Sequence, residues 1–276
     1  MKRKAKAKIP AKINLTLDVF GGENGYHNLK SLVASVNLFD AITLYRRKDD
    51  IVTLLEKGVK AGCQTEDNNA VKCYRYLMKE YNLPGANIVI NKKIPVGAGL
   101  GGSSADVAGV ILATEKLFKI KIDYKKTADL FGSDVMYMLI GGFAVISGRG
   151  NDVEKLPIKK TLYINLIDNL EMVSAKDSYN KFDELNIKTK NKTEKAVSAL
   201  LNGEDFYKYI SNDLQKGSTK ILPRIEYSLG LIRLANAKTM TGSGSAVYGV
   251  YEYKEKRNLE YKILERKTII HKLKTI

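Results

Sequence analysis

Apolar and polar side chains alternate along residues 7–20, with Ile13, Leu15, Leu17 and Val19 on one side and Lys12, Asn14, Thr16 and Asp18 on the other. That period of two predicts a half-buried strand, with Lys12 and Asn14 pointing the same way from its polar face. A glycine-rich turn at 21–25 precedes Tyr26-His27, and residues 32–44 read as strand with a break at Asp40. Residues 49–65 are polar and predict a short strand pair and a loop. From Asn68 to Tyr81 the period becomes helical, with Ala70, Val71, Tyr74, Leu77 and Met78 on one face. A β-branched strand at 86–90 leads into a run of small residues, and a helix at 105–117 follows, with Val107, Ile111 and Leu112 at helical spacing. Further helices are predicted at 124–130, 174–185, 195–201, 206–214 and around 225–234. Further strands are predicted at 143–147, 162–167 and 247–251. The pattern restarts near Leu156, which divides the chain into expected domains at 1–155 and 156–276.

The small-residue run holds Gly97, Gly99, Gly101 and Gly102, then Ser103 and Ser104. Glycine at alternate positions permits left-handed torsions and close approach of a ligand to backbone N–H groups. Those groups converge on the positive end of the following helix, an anion site. A plain turn with serine N-caps is the simpler alternative, but four glycines and two serines ahead of a helix favour phosphate. The G-x-x-x-x-G-K-[ST] pattern is absent. Gly97, Gly99 and Gly102 match dinucleotide spacing, yet Lys125 and Lys126 stand where a ribose-binding carboxylate is needed. A second cluster, Met240-Thr241-Gly242-Ser243-Gly244-Ser245, precedes the strand at 247–251 and suggests two small-residue loops closing on one ligand. Asp134, after Gly132-Ser133 and before an apolar run, reads most simply as a helix N-cap. His27 is either a surface histidine or, beside Tyr26 after a glycine turn, a ligand contact.

Composition narrows the class. The chain has 276 residues, 44% apolar and 28% charged, as in a soluble globular protein with room for a sizeable core. No apolar run reaches the ~18 residues of a membrane span, and the basic N-terminus lacks the apolar stretch of a secretory signal. Cys63 and Cys73 offer no disulfide framework, and His27 and His271 alone exclude a histidine zinc site, so a cytoplasmic location is expected. The net charge of +16 reflects either a polyanion-binding surface or a lysine-rich one. Lysines are spread along the whole chain, and the densest stretch, 254–274, is interrupted by Glu255, Glu260 and Glu265. No nucleic acid partner is therefore expected.

Three stretches resemble, in order, the motifs of the GHMP small-molecule kinases: Pro10-Ala11-Lys12-Ile13-Asn14-Leu15, Pro95-Val96-Gly97-Ala98-Gly99-Leu100-Gly101-Gly102-Ser103-Ser104, and Met240-Thr241-Gly242-Ser243-Gly244-Ser245. Within that superfamily, the first motif followed by Gly25-Tyr26-His27 is similar to the kinases acting on a cytidine-diphosphate-linked methylerythritol. Each motif alone is weakly specific; the ordered set is strong. The resemblance implies an α+β, two-domain GHMP kinase fold with ATP and substrate in the cleft, and transfer of the ATP γ-phosphate to a 2-hydroxyl with Mg²⁺. It implies that Asp134 is the general base and that Lys12 offsets charge beside it. Residues 95–104 would hold ATP, with Ser104 at the metal. Asn14, Tyr26, His27, Tyr179, Gly242 and Ser243 would hold the cytidine-linked small molecule. The chain departs from the pattern at Ser103, where a third glycine is common, at Ala105, where serine is, and at Ala175, where threonine is. Rival expectations are another GHMP kinase, a paralogue with a different substrate, or a basic nucleic-acid-binding module.

Overall fold

In a computed structural model, residues 3–21, 27–59 and 62–276 are described. The first part of the chain runs β1 (Lys4–Asn14), β2 (Thr16–Phe20), β3 (Asn28–Arg46), β4 (Val52–Gly58), α1 (Asn69–Glu80), β5 (Ala86–Lys92) and α2 (Gly102–Phe118). Then follow α3 (Tyr124–Phe131), α4 (Val135–Ile140), β6 (Phe143–Gly148), β7 (Asp152–Lys155), β8 (Tyr163–Ile167), α5 (Ala175–Glu184) and α6 (Thr193–Leu201). The chain continues with β9 (Ser211–Asn212), α7 (Gln215–Ile221), α8 (Arg224–Leu231), β10 (Ala237–Met240), β11 (Val247–Tyr251), α9 (Lys254–Leu264) and β12 (Ile270–Lys274). This is the expected α+β class.

The chain folds as two compact units that interleave in sequence: residues 1–11, 38–96 and 101–140 form one, and residues 12–37, 97–100 and 141–276 the other. The residues around 155, where the sequence pattern restarts, lie inside the second unit. Two of the boundaries, at 11/12 and 37/38, fall inside β1 and β3.

In the first unit, β4 lies parallel to β5, and β5 runs antiparallel to residues 41–46 of β3. Ile42, Leu44, Ile88 and Ile90 are buried, as are Val71, Tyr74 and Leu77 of α1 and Val107, Val110 and Ile111 of α2. α2 is buried on nearly every side, as an all-round apolar helix must be. Its Gly109 presses on Ile42: a methyl there would come within 2.3 Å of Cδ1.

In the second unit, β2 and β6 pair antiparallel with the first half of β3, and β9 adds parallel to β2. A separate antiparallel sheet has the order β10-β11-β8-β12. Leu17, Val19, Ile167, Phe182, Leu214, Ile225 and Val247 form one apolar cluster.

Several expectations need correction. Residues 7–20 are two strands, β1 and β2, and their polar face is buried: Lys12, Asn14, Thr16 and Asp18 are all 5% exposed or less. That face is covered because partners from β3, β11, the start of α6 and the loop at 241–242 bond to it. Asp40 does not break β3; its carboxylate takes the N–H groups of Lys93 and Ile94. The described residues of 49–65 contain one strand, β4, rather than a pair. Residues 206–214 are not a helix. A single 3₁₀ turn at Tyr207–Tyr209 gives way to β9, where Ser211 and Asp213 donate to the carbonyls of Leu15 and Leu17. Pairing with β2 thus takes the backbone groups that a helix would have used.

Candidate active site

The second unit gathers Lys12, Asn14, Gly242 and residues 97–100. Lys12 Nζ donates to Asn14 Oδ1 at 2.8 Å, and the Gly242 N–H donates to the same oxygen at 3.0 Å. Asn14 Nδ2 donates to Ser31 Oγ at 2.8 Å, and the Asn14 carbonyl accepts from the Tyr248 hydroxyl at 2.5 Å. A buried amide with its oxygen shared this way has little capacity left for a ligand. Asn14 therefore fixes the Lys12 ammonium and ties it to the second glycine-serine loop.

The two small-residue loops touch. Thr241 Oγ1 donates to the Gly99 carbonyl at 3.1 Å, Ala246 N–H to the Ala98 carbonyl at 3.3 Å, and Lys12 N–H to the Leu100 carbonyl at 3.1 Å. Gly99 has φ +77°, and a Cβ built there would lie 2.1 Å from the Thr241 carbonyl oxygen. Only glycine permits that approach. Ser243 Oγ donates to the Val173 carbonyl at 3.4 Å, and Ala98 and Leu100 are buried while Gly97 is exposed.

His27 stacks on Tyr179, with ring centroids 4.9 Å apart, and meets Phe182 edge-on. Its Nε2 lies 2.8 Å from Asp183 Oδ1. These flat groups sit together on one patch of the second unit. Tyr26 lies outside the described residues.

The first unit holds the rest. Pro95 is buried and Val96 half-buried. Gly101 takes φ +73° as the residue capping the start of α2, and its carbonyl accepts the N–H of Ala105. The N–H groups of the first turn, Gly102 to Ser104, thus form the positive end of a 17-residue helix. Ser103 is exposed and its Oγ accepts from Asn69 Nδ2 at 3.2 Å. Ser104 lies beside the turn that carries Asp134: a Cβ on Gly132 would be 3.5 Å from Ser104 Oγ. Asp134 is half-buried, and its carbonyl accepts the Met138 N–H, the first bond of α4. It thus occupies the start of that short helix, as its sequence context predicts.

Four residues escaped the sequence reading, and three of them form one cluster. Lys92 Nζ donates to Asp40 Oδ2 at 2.8 Å, Asp106 Oδ2 at 2.6 Å and the Gly102 carbonyl at 3.3 Å. All three side chains are 5% exposed or less. Burial pushes the Asp106 carboxyl up to about 7, with Lys92 opposing the rise and Asp40 adding to it. Burial also works against a charged Lys92, yet the two carboxylates outweigh it and raise its pKa. Nothing in the sequence marks one lysine among 46 basic residues. Asp40 and Asp106 lie 52 and 14 positions from it, too far apart for any local spacing rule. Asp183 escaped for the same reason, 156 positions from His27.

A model of the GHMP kinases N terminal domain matches residues 68–142. A 4-diphosphocytidyl-2-C-methyl-D-erythritol kinase of Caldanaerobacter subterraneus is 35% identical over 266 residues, covering 92% of this chain and 90% of that protein. A crystal structure of 4-(cytidine 5'-diphospho)-2C-methyl-D-erythritol kinase superposes with a TM-score of 0.84 at 26% identity, covering 98% of this chain and 99% of that one. The Methanococcus jannaschii mevalonate kinase, at 17% identity and TM-score 0.74 over 98% of each chain, shares the fold. The chain belongs to the 4-diphosphocytidyl-2-C-methyl-D-erythritol kinase family of the GHMP kinases.

Proposed function

We propose that this protein transfers the γ-phosphate of ATP to the 2-hydroxyl of 4-diphosphocytidyl-2-C-methyl-D-erythritol, a step of non-mevalonate isoprenoid precursor synthesis. The observation that carries the reading is the junction of a buried, oriented ammonium at Lys12 with two positive-φ glycine loops, through Asn14 and Thr241. A fixed cation beside a curved backbone suits a transferring phosphoryl group, where catalysis is mainly positioning and electrostatics.

Residues 95–104 cradle the ATP phosphates, together with the first N–H groups of α2. The fit is favourable: Gly97, Gly99 and Gly101 all take positive φ, leaving the N–H groups open to a polyanion. Asp134 takes the proton from the substrate hydroxyl, and Lys12 offsets the charge on the phosphoryl oxygens. Mg²⁺ supplies charge neutralisation of the phosphates. Ser104 would be the protein hydroxyl to hold it, a hard oxygen donor beside the turn of Asp134. His27, stacked on Tyr179, reads the cytosine edge, and Tyr179 with Tyr26 packs on the flat base. Gly242 and Ser243 complete the substrate side. The protein acts on a small molecule in the cytoplasm. Among the described residues, no helix is long and apolar enough to cross a membrane.

The test is ADP release with four acceptors: the cytidine-linked methylerythritol, free methylerythritol phosphate, mevalonate and homoserine. Turnover is expected with the cytidine-linked acceptor alone. His27→Ala should raise KM for it by about 10-fold or more, the scale of one lost base contact. Equal turnover of free methylerythritol phosphate would remove the base-reading site from the proposal. Turnover of mevalonate or homoserine instead would replace the substrate.

A further inference from the structure

The Lys92, Asp40 and Asp106 cluster has no place in the chemistry above, yet it brackets the loop that serves it. Asp40, in the middle of β3, receives the N–H groups of Lys93 at 2.6 Å and Ile94 at 2.8 Å, where the chain leaves β5 for the glycine run. Its second oxygen receives Lys92 Nζ. The same ammonium then reaches the far side of the run, to the Gly102 carbonyl and to Asp106 one turn into α2. All three ammonium hydrogens have acceptors, in three different directions. Gly102 sits directly against this centre: a Cβ there would lie 3.4 Å from Lys92 Nζ and 3.2 Å from Ile94 Cγ2.

We propose that Lys92, held by Asp40 and Asp106, is a positioning residue that fixes the two ends of the ATP loop at the spacing and angle nucleotide binding needs. The physical reason is directional. An apolar side chain at this place would fill the same volume but leave the angle between strand and helix soft. An ammonium bonded to a strand, a helix carbonyl and a helix carboxylate locks both distance and rotation. The N–H groups of the first turn of α2 then present to phosphate without reorganisation on binding. Asp40 adds the leading side of the loop to the same lock through Lys93 and Ile94. This inference rests on reading residues 95–104 as the ATP loop.

The experiment separates loop geometry from chemistry and from folding. Lys92→Met removes the lock, and KM for ATP should rise by about 10-fold or more with kcat at saturating ATP and KM for the cytidine-linked acceptor little changed, the signature of lost nucleotide binding alone. Asp106→Asn keeps an acceptor for the ammonium, and KM for ATP should stay within about 3-fold of wild type. Should Lys92→Met fail to fold because two carboxylates are left without their cation, the double variant Lys92→Met with Asp106→Asn serves instead. It keeps Asp40 bonded to its two N–H donors, and its affinity for a fluorescent ATP analogue, without acceptor, gives the same readout. Wild-type affinity for nucleotide in a folded Lys92→Met or double variant overturns the proposal. So does an equal weakening for both substrates, which marks general loosening of the core. Absence of ATP binding by the wild-type protein would instead overturn the loop reading itself.

Discussion

Replacing Gly99 by alanine probes the contact on which the two glycine loops depend. The residue takes φ +77°, and the new methyl would lie 2.1 Å from the Thr241 carbonyl oxygen and 2.9 Å from its carbon. Left-handed backbone costs a non-glycine residue about 1–2 kcal/mol. Relieving the overlap requires a shift of about 1 Å, since carbon and oxygen in contact sit well beyond 3 Å. The atoms that must move belong to Thr241. Its N–H donates to Ala246, its hydroxyl donates to Gly99, and that hydroxyl accepts the N–H of Asn14. At about 1 kcal/mol for each bond, loosening all three adds about 3 kcal/mol. The expected destabilisation is therefore about 4–5 kcal/mol, or a fall in Tm of roughly 8–20 °C at 2–4 °C per kcal/mol. Thermal unfolding by circular dichroism measures it, beside KM for ATP, which should rise with the displaced loop. Gly230 is the control. It lies in α8 with open space around its Cβ position and no positive φ, so Gly230→Ala should raise stability by up to about 1 kcal/mol. If Gly99→Ala melts and turns over like Gly230→Ala, the loops do not need their observed contact and the reasoning fails.

Two further predictions concern chemistry and pH. Asp134→Ala and Lys12→Ala should each lower kcat by about two to four orders of magnitude, as for loss of a general base or of charge stabilisation. Single-turnover measurement with labelled ATP checks this, and near-wild-type turnover of Asp134→Ala would remove its role as base. His271 on β12 is half-buried, and its Nε2 is enclosed without a hydrogen-bond partner. Burial lowers its pKa, with Asp168 pulling the other way. The unfolded imidazole takes up a proton near pH 6.5, whereas the folded one does so only at lower pH. The unfolded chain thus holds more protons in that window, and stability falls as pH drops below about 6.5. His271→Gln should lose less Tm than wild type between pH of about 7.5 and 5; parallel curves would show that this histidine is not penalised by burial.

The elements with a clean period were legible in the chain. α1 carries a single apolar face and an Asn68 cap whose side chain accepts the Ala70 N–H, so spacing and cap chemistry agree. β5 and α2 flank the glycine run where alternation and helical spacing place them. The failures share one cause. Lys12, Asn14, Thr16 and Asp18 look like a solvated strand face, because local alternation cannot reveal that other segments will cover it. Asp40 looks like a break because a charge inside a strand is costly unless paired, and its partners Lys92, Lys93 and Ile94 lie more than 50 positions away. Residues 206–214 have helix-compatible residues, but β2 offered their backbone a better partner.

Composition and spacing by themselves placed most of the strands and helices and marked a glycine run suited to an anion, while the candidates for phosphoryl transfer came from the resemblance of the ordered motifs to a known family. The first two depend on torsional freedom and near neighbours, which are written locally. Only the tertiary structure decided that Asn14 would hold Lys12 to Gly242, that Thr241 would close on Gly99, and that a hidden ammonium would tie both ends of the loop. Buried polar groups must find partners wherever the fold brings them, and those partners come from distant parts of the chain.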